Sequence, residues 1–388
     1  MDKLQTVHTL VQRSGGWPFV LGQFGCLQEV ISGTPDGRTK LFPCPRTGEG
    51  KTKFRLVKEW KETGGGYHND HGRLGDGIDM VKFVGGFASL GDAMDEIIAI
   101  CGGTDRLDVS PAELARLERE QKKAKAKREK ALADKRKKNM FVLQCIEEGC
   151  CHVTSSRVGM AYAQYRGLHD CYLPSVIGFH PKLLAYIDNQ RCYLPAWVMY
   201  VQDVTGRPVT MHRIFLETDG RGSNKSMENA KMQLDGIDAV NGCSVQLAPP
   251  MVFRDQLKSR RVVLATCEGV ETGIAIGEAE SVPVWCGISS RIMEAINIPA
   301  EVTDLLIYQD KDLSGEGERA GIALEERVIR ETNGRVTVHR FTPPGAIKET
   351  EKSQDWLDEW NDHDNTGASF PGFIAREGLK QIGILHDE

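Results

Sequence analysis

Acidic side chains follow two apolar, strand-like segments in the last third of the chain. The segment Val262–Thr266 is followed by Glu268 and a glycine. The segment Leu305–Tyr308 is followed by Asp310 and Asp312. Because the carboxyl ends of parallel strands share the edge at which open α/β sheets bind ligands, we expect these three carboxylates to converge.

Carboxylates that lie this close together need a neutralising partner. At about 4 Å and an effective dielectric constant of about 20, each pair of like charges costs roughly 4 kcal/mol. A site built only from oxygen ligands indicates a hard divalent cation, Mg²⁺ or Mn²⁺. Asp355 and Asp358 form a further spaced pair, and we expect one of them to complete the coordination. Two such cations, about 3.5–4 Å apart, would suit phosphoryl transfer.

The elements that would position these acids alternate between strand and helix from residue 259 onward. A helix is predicted from Gly317 to Thr332, because Ala320, Leu324 and Val328 share one face. The predicted strands are Val262–Thr266, Val282–Cys286, Leu305–Tyr308 and Val336–Phe341. This alternation implies parallel strands with right-handed crossovers.

Length and composition limit the class of protein. At 388 residues the chain exceeds the usual size of a single core, so we expect a multidomain α/β protein. No stretch approaches the roughly 18 apolar residues of a membrane span, and the N-terminus lacks a signal-peptide pattern. Eleven scattered cysteines fit reduced thiols. These features predict a cytoplasmic protein without a membrane partner.

Charge is segregated along the chain. Residues 116–138 contain 12 Lys or Arg and 4 Asp or Glu, a net charge of +8, whereas the whole chain carries −5. The remainder therefore carries −13, much of it near the proposed metal edge. Because the basic run lacks an apolar stripe, it is predicted to be a linker, either a solvated helix or a flexible connector. A contact with nucleic acid and a soluble spacer are both compatible with it.

Residues 140–258 are predicted to form a basic α+β domain. A helix is predicted from Ser156 to Arg166, and later a hairpin of two strands, 196–203 and 208–215, with a Thr-Gly turn. A Gly-containing basic loop follows. The candidates for contacts with triphosphate or template phosphates are His212, Arg213, Lys225 and Lys231. A solvated surface role is the alternative for each of them.

The ordered acids resemble the Toprim domain shared by primases, topoisomerases and some nucleases. The matching segments are Glu268–Thr272, Asp310–Asp312 with Gly315, and Asp355–Asp358. The resemblance implies that Glu268, Asp310 and Asp312 are catalytic and that the acids bind divalent cations. It also implies that Glu268 is the general base or acid at an attacking hydroxyl, and a role as metal ligand is equally compatible with the sequence.

The N-terminal segment contains Cys44 and, later, the pair His68 and His71. This segment resembles the zinc-binding domain of phage- and plasmid-type primases, in which two ligand knuckles bracket a small sheet. The first knuckle keeps Cys44 but has Thr47 where its second ligand belongs. The second knuckle has His68 and His71, which can bind zinc through imidazole nitrogen. The resemblance implies Zn²⁺ on Cys44, His68 and His71 plus one unidentified ligand, for which Cys26 is a candidate. A ribbon stabilised by packing alone is the alternative.

Taken together, four regions resemble a phage- or plasmid-borne DNA primase of the bacterial kind. They are a zinc-ribbon-like domain, a basic helical linker, a basic α+β primase subdomain and a Toprim domain with a parallel sheet, at residues 1–103, 104–139, 140–258 and 259–388. The resemblance implies synthesis of short RNA primers on single-stranded DNA from nucleoside triphosphates. The expected location is the cytoplasm of a bacterial host.

The sequence also bears on partners and on alternative functions. No P-loop motif, Gly-x-x-x-x-Gly-Lys-[Ser/Thr], occurs in the chain, so a separate replicative helicase is expected to open the template. One alternative is phosphodiester cleavage by the same acids, as in Toprim nucleases and topoisomerases. Another is a catalytically inactive protein that binds single-stranded DNA or a replication partner.

Overall fold

A computed structural model of the chain describes residues 2–34, 40–103 and 111–385, with side chains between 111 and 128 described only in part. The chain divides into two units, Met1–Glu129 and Lys130–Glu388. Each unit buries apolar side chains in cores of its own. All eleven cysteines are free thiols.

In its described part, the N-terminal unit combines helices with a small antiparallel sheet. The helices are α1 (Lys3–Arg13), α2 (Trp17–Gly22), α3 (Gln28–Ser32), α4 (Trp60–Thr63), α5 (Gly77–Gly85) and α6 (Leu90–Ile100). The strands are β1 (Phe54–Leu56), β2 (Gly66–His68) and β3 (Gly72–Leu74), paired in that order. Asp76 and Ser89 cap α5 and α6 through side-chain hydrogen bonds, which accounts for where these helices begin.

Helix α7 (Pro111–Glu148) contains the basic run. Of the two forms predicted for this run, the structure shows the helix, which continues past residue 139 to its end at Glu148. Leu143 and Ile146, near that end, are buried against a sheet of the second unit. Residues 104–110, the first part of the predicted linker, lie outside the described ranges. Among the helices that the structure describes, none pairs enough length with enough apolar character to span a bilayer.

The second unit contains a five-stranded antiparallel sheet in the segment that follows α7. Its strands, in spatial and sequence order, are β4 (Cys151–His152), β5 (Ile177–Ile187), β6 (Gln190–Gln202), β7 (Pro208–Phe215) and β8 (Lys231–Gln233). Helix α8 (Arg157–Tyr165) begins after Ser156, whose hydroxyl accepts a hydrogen bond from the backbone of Gly159. The β6–β7 hairpin turns at Asp203, whose carboxylate accepts a hydrogen bond from the backbone N–H of Thr205.

The rest of the second unit is built on a seven-stranded sheet. Its strands are β9 (Val245–Gln246), β10 (Met251–Arg254), β11 (Arg260–Cys267), β12 (Val284–Cys286), β13 (Asp304–Tyr308), β15 (Thr337–Phe341) and β17 (Lys380–Ile384). A separate ladder pairs β14 (Lys311–Asp312) with β16 (Ser353–Gln354). The helices of this region are α9 (Val270–Glu280), α10 (Ser290–Ala295), α11 (Glu316–Thr332), α12 (Trp356–Asp362) and α13 (Phe373–Arg376).

The centre of this sheet is parallel. Strand β11 lies between β12 and β13, β13 pairs with β15, and all three pairings are parallel. Strands β9, β10 and β17 add antiparallel pairings, which the alternating pattern did not predict. Helix α11 buries Ala320, Leu324 and Val328, the face expected from their spacing. The predicted multidomain α/β fold with a parallel sheet is confirmed.

The two sheets of the second unit share a core. Side chains alternate along β6, so Trp197 and Val198 lie on opposite faces. Trp197 belongs to a buried cluster that includes Ile274 of α9. Val198 belongs to another cluster, with Leu143 of α7. One face of the five-stranded sheet therefore packs against the acid-bearing region, and the opposite face packs against α7.

Candidate active site

Three of the predicted acids line one cavity at the carboxyl edge of the parallel strands. Glu268 directly follows β11, Asp310 follows β13, and Asp312 lies in β14. They line a cavity of about 500 Å³, together with Ser290 and Glu316 among others. Because β11 and β13 are adjacent and parallel, their carboxyl ends meet, as the sequence predicted.

Asp310 is the most confined of these acids. Burial raises the pKa of its carboxyl well above the usual range, and the charges of Asp355 and Glu268 add to this effect. Its Oδ1 atom is buried and has no hydrogen-bond partner in the described structure. A Cβ atom at position 317 would lie 2.6 Å from the carbonyl oxygen of Asp310. Only glycine therefore lets the first turn of α11 pack this closely against the backbone of Asp310. A buried carboxylate oxygen without a partner is costly, which favours a bound cation or a proton there.

Glu268 lies in a similar electrostatic environment. Its pKa is raised by burial and by the nearby carboxylates of Glu316 and Asp312, while Lys231 opposes the rise. Glu316 was missed in the sequence, although it follows the Asp-x-Asp pair by only four residues. Its carboxylate accepts a hydrogen bond of 2.7 Å from the hydroxyl of Ser290.

Asp312 is held by the first turn of α11. Its carboxylate accepts hydrogen bonds from the backbone N–H groups of Glu316, at 3.1 Å, and Gly317, at 2.7 Å. The hydroxyl of Ser314 donates to the same group. Burial would raise the pKa of Asp312, but the hydrogen bonds from Ser314 and from these N–H groups outweigh burial and lower it. Asp312 is therefore ionised and fixed in orientation.

The second acidic pair is brought close by the β14–β16 ladder. Asp355 caps α12, because its Oδ1 accepts hydrogen bonds from the N–H groups of Leu357 and Asp358. Asp358 completes a capping box by accepting from the N–H of Asp355. Burial, and then the charge of Asp358, raises the pKa of Asp355. Both acids act as caps and influence Asp310 electrostatically, and their predicted role in metal coordination stays a prediction.

A buried charged network joins α9 to the five-stranded sheet. Glu271 of α9 is 2% exposed and forms an ion pair with Lys231 at 2.7 Å. It also accepts a hydrogen bond of 2.8 Å from the hydroxyl of Tyr162. Burial would raise the pKa of Glu271, but Lys231 and Arg166 together lower it to about 2. This network holds Lys231 beside the acids, close enough to lower the pKa of Glu268.

Arg166 is a second cation next to the acids, and it was not singled out in the sequence. Burial opposes its charge, but Glu271, Tyr162 and Asp355 outweigh burial and raise its pKa. Its Nε atom is buried and has no hydrogen-bond partner among the described residues. One sequence feature could have identified Arg166. It follows Tyr162 by four residues at the end of α8, and this spacing places both side chains on one helix face.

The structure separates the four basic candidates. His212 is 7% exposed, and burial lowers its pKa to about 4, so it is neutral near pH 7. Arg213 follows it in β7 and lies on the opposite face, over the ring of Phe215 at 5.3 Å. Lys225 is exposed in the loop. Of the four, Lys231 is the cation placed beside the acids. Because adjacent strand residues point to opposite faces, His212 and Arg213 do not lie on the same side of the sheet, and their predicted phosphate contacts stay predictions.

The predicted zinc knuckles are held by hydrogen bonds and ring contacts. The Nδ1 atom of His68 accepts a hydrogen bond from the backbone N–H of Asp70, so the ring proton is on Nε2. The rings of His68 and His71 each lie 5.2 Å from the ring of Phe83. Burial would raise the pKa of Cys44, but hydrogen bonds from Thr47 outweigh burial and lower it. The Nε2 atom of His68 is buried and has no hydrogen-bond partner among the described residues.

The proposed zinc site of the N-terminal unit and the proposed Mg²⁺ site of the acidic cavity need different numbers of protein ligands. Within the described residues, no group of three or more His, Cys, Asp or Glu side chains is arranged to hold a metal ion. A structural zinc site takes four protein ligands, so Cys44, His68 and His71 would need one more, and zinc binding there stays a prediction. Mg²⁺ needs only one or two carboxylates, together with water and substrate phosphates. The unpartnered Oδ1 of Asp310 and the ionised Asp312 fit that requirement.

Family comparison agrees with the geometry of the acids. Residues 263–365 match the family model of the Toprim domain. The C-terminal part of the chain therefore contains a Toprim domain, which confirms that part of the resemblance. Residues 143–246, which include the five-stranded sheet, match a model described as a domain of unknown function, DUF7146.

The chain is also similar to solved structures of primases. It shares 13% identity with the zinc-binding and RNA polymerase domains of the Aquifex aeolicus primase, covering 97% of this chain and 86% of that one, with a TM-score of 0.37. It shares 14% identity with a DNA primase domain from Pseudomonas aeruginosa, covering 52% and 57%, with a TM-score of 0.32. It shares 11% identity with the primase fragment of the bacteriophage T7 primase-helicase protein, covering 53% and 66%, with a TM-score of 0.27. At these values each likeness is a similarity only, and it assigns no role to a residue. No curated protein matches the chain.

Proposed function

We propose that this protein is a DNA primase that joins nucleotides on a single-stranded DNA template by metal-dependent nucleotidyl transfer. The observation that carries the proposal is the single cavity in which Asp310, with a buried and unpartnered Oδ1, lies beside Glu268 and the ionised Asp312. The Toprim match supports a site for phosphate chemistry. Short RNA primers and a role in phage or plasmid replication belong to the same proposal.

The proposed reaction joins the 3′-oxygen of one nucleotide to the α-phosphorus of the next. The bond from that phosphorus to the pyrophosphate oxygen breaks, and pyrophosphate leaves. Glu268, Asp310 and Asp312 are the proposed ligands of Mg²⁺ or Mn²⁺, with Asp355 and Asp358 as further candidates. When bound, these cations neutralise the charge that develops on the entering and leaving oxygens.

The side chains supply position and proton transfer. Asp312 is held by N–H groups of α11, so its carboxylate keeps one orientation. The raised pKa of Glu268 suits a group that accepts the proton of the attacking hydroxyl, and ligation of a cation is the other role we retain for it. Lys231 is the proposed contact for the triphosphate, because Glu271 holds it beside Glu268.

The positive charge of Lys231 is the feature that favours nucleotidyl transfer over phosphodiester cleavage. Phosphodiester cleavage would need the same carboxylates, whereas a nucleoside triphosphate brings additional negative charge that has to be neutralised. Lys231 and Arg166 supply positive charge next to the acids. The proposed partners are single-stranded DNA, nucleoside triphosphates and a separate helicase, in a bacterial cytoplasm. The four-region division of the chain is part of this proposal.

The decisive experiment incubates the protein with single-stranded template, labelled nucleoside triphosphates and Mg²⁺. Short labelled oligomers are expected for the wild type. The Asp310→Asn variant should lose this activity, by at least about 100-fold, because electrostatic stabilisation of developing charge is lost. The matched control is Asp364→Asn, an exposed acid outside the cavity, which should retain activity.

Each other outcome has a definite meaning. A shortened template would establish cleavage in place of synthesis. Template binding without either product would support the non-catalytic alternative. Undiminished synthesis by Asp310→Asn would show that the chemistry takes place elsewhere, since that carboxylate is central to the cavity.

A further inference from the structure

A second cavity lies on the face of the five-stranded sheet that packs against α7. Its volume is about 750 Å³, within the range of about 300–1,000 Å³ seen for ligand pockets. It is bounded by the C-terminal part of α7 and by strands β5 to β8. Its lining is mainly apolar and includes Phe141, Ile146, Leu183, Tyr186, Phe215 and Met232. We refer to it as the α7 groove.

The α7 groove contains unpaired positive charge. Arg213 and Arg191 line it, and no Asp or Glu is among its lining residues in the described structure. The Nε atom of Arg213 is buried and has no hydrogen-bond partner there. Arg191 lies over the ring of Tyr193, at 5.4 Å, and forms no described ion pair. Arg191 is exposed and Arg213 is half-buried. A buried guanidinium nitrogen normally has an acceptor, so the Nε atom of Arg213 lacks one.

Exposed apolar side chains extend beyond the α7 groove. Phe141 and Tyr186 are 66% and 60% exposed at its rim. Along the same helix, Met140 is 55% exposed and Leu132 is 70% exposed. Exposed apolar patches of this kind mark sites of protein association. A small molecule inside the cavity would leave most of this surface in contact with water.

We propose that the α7 groove binds an acidic, amphipathic segment of a partner protein. Apolar side chains of the segment would fill the cavity, and a carboxylate would accept hydrogen bonds from Arg213. Nucleic acid would leave the apolar lining uncovered. The basic part of α7 itself is excluded by like charge, since residues 116–138 carry +8. This surface lies on the opposite side of the sheet from Lys231, so the proposal does not depend on the proposed enzymatic activity.

The test is a selection from a displayed library of random 12-residue peptides on the full-length wild-type protein. Enriched peptides should combine Asp or Glu with large apolar residues. A synthetic consensus peptide should bind at least about 10-fold more weakly to Arg213→Met, measured by fluorescence anisotropy. Phe141→Ser should weaken it similarly. Arg254→Met, which removes an exposed cation outside the groove, should bind like the wild type.

The outcomes separate the possible occupants. Thermal unfolding is measured for each variant to check that it folds. If Arg213→Met does not fold, the peptide affinity of Phe141→Ser tests the proposal by itself, because Phe141 is largely exposed and its replacement leaves the core intact. No enrichment, or peptides that bind Arg213→Met and Phe141→Ser as well as wild type, would overturn the proposal. So would a dimer in sedimentation analysis that Phe141→Ser abolishes, because a second copy would then occupy the groove.

Discussion

At the scale of single residues, the chemistry of the acids depends on what surrounds each carboxyl group. Asp310 and Asp312 are separated by one residue, yet the pKa of the first is raised and that of the second is lowered. Asp310 is buried among other acids, whereas Asp312 accepts hydrogen bonds from the first turn of α11. The pair therefore offers one oriented carboxylate and one buried carboxylate that needs a cation.

Glu271 shows how one buried acid positions a cation. Its pKa of about 2 lies below that of an ordinary glutamate, so its ionised form stabilises the fold above about pH 4.5. This stabilisation is lost as the pH falls toward 2. We expect Glu271→Gln to lower the free energy of unfolding by on the order of 3 kcal/mol at pH 7. The difference from wild type should be smaller at pH 3, measured by urea denaturation at both pH values.

A matched substitution controls for the loss of a glutamate from a helix. Glu326→Gln, on the exposed side of α11, should change stability by no more than about 0.5 kcal/mol. If the loss in free energy of unfolding caused by Glu271→Gln were larger at pH 3 than at pH 7, the ionised network would be contradicted. If the proposed function holds, Glu271→Gln should also raise the KM for nucleotide more than it lowers kcat, since Lys231 loses its anchor.

At the scale of elements, short ladders and helix starts assemble the site. The β14–β16 pairing is only two residues long, yet it places the start of α12 near β13. In the N-terminal unit, β2 and the turn that follows it place His68 and His71 against Phe83 of α5. The rings of the two histidines lie 4.8 Å apart.

Metal analysis tests the packed ribbon. Because Thr47 stands where a ligand belongs, we expect less than about half an equivalent of zinc per chain after dialysis. The melting temperature should be the same with and without a chelator, since metal binding would otherwise be coupled to folding. A full equivalent of zinc, with a lower melting temperature after chelation, would contradict the packed ribbon and support the zinc prediction.

At the scale of the whole molecule, charge is segregated along the sequence between a basic helix and an acidic remainder. Residues 116–138 lie in α7 and carry a net +8, while the chain as a whole carries −5. The chain therefore combines an acidic Toprim region with one basic region, and contact of the basic region with nucleic acid stays a prediction. This separation concerns affinity for nucleic acid more than the fold itself.

Deletion of residues 116–138 should weaken binding to single-stranded DNA and flatten its dependence on salt. The physical reason is that each neutralised phosphate releases counterions, so fewer contacts give a smaller slope of log K against log salt. A control that keeps the length replaces four exposed lysines with Gln: Lys122, Lys123, Lys127 and Lys130. An unaltered slope in both variants would reduce the run to a tether.

The sequence alone predicted the periodic elements and the acids at their ends. Strands such as Leu305–Tyr308 were visible because a continuous apolar run is needed where a strand is covered on both faces. The position of Glu268 and Asp310 at one edge followed from parallel pairing, which alternating strands and helices imply. These properties depend on local pattern and chain order, so they can be read without coordinates.

Only the tertiary structure decided which side chains share an environment. Arg166 meets Glu271 across more than a hundred residues of sequence, and no local pattern connects them. His212 and Arg213 are neighbours in the chain, but the pleat of β7 sends them to opposite faces and gives them different surroundings. Burial and charge pairing arise from long-range packing, which is why the protonation states and the α7 groove could not be predicted from the sequence.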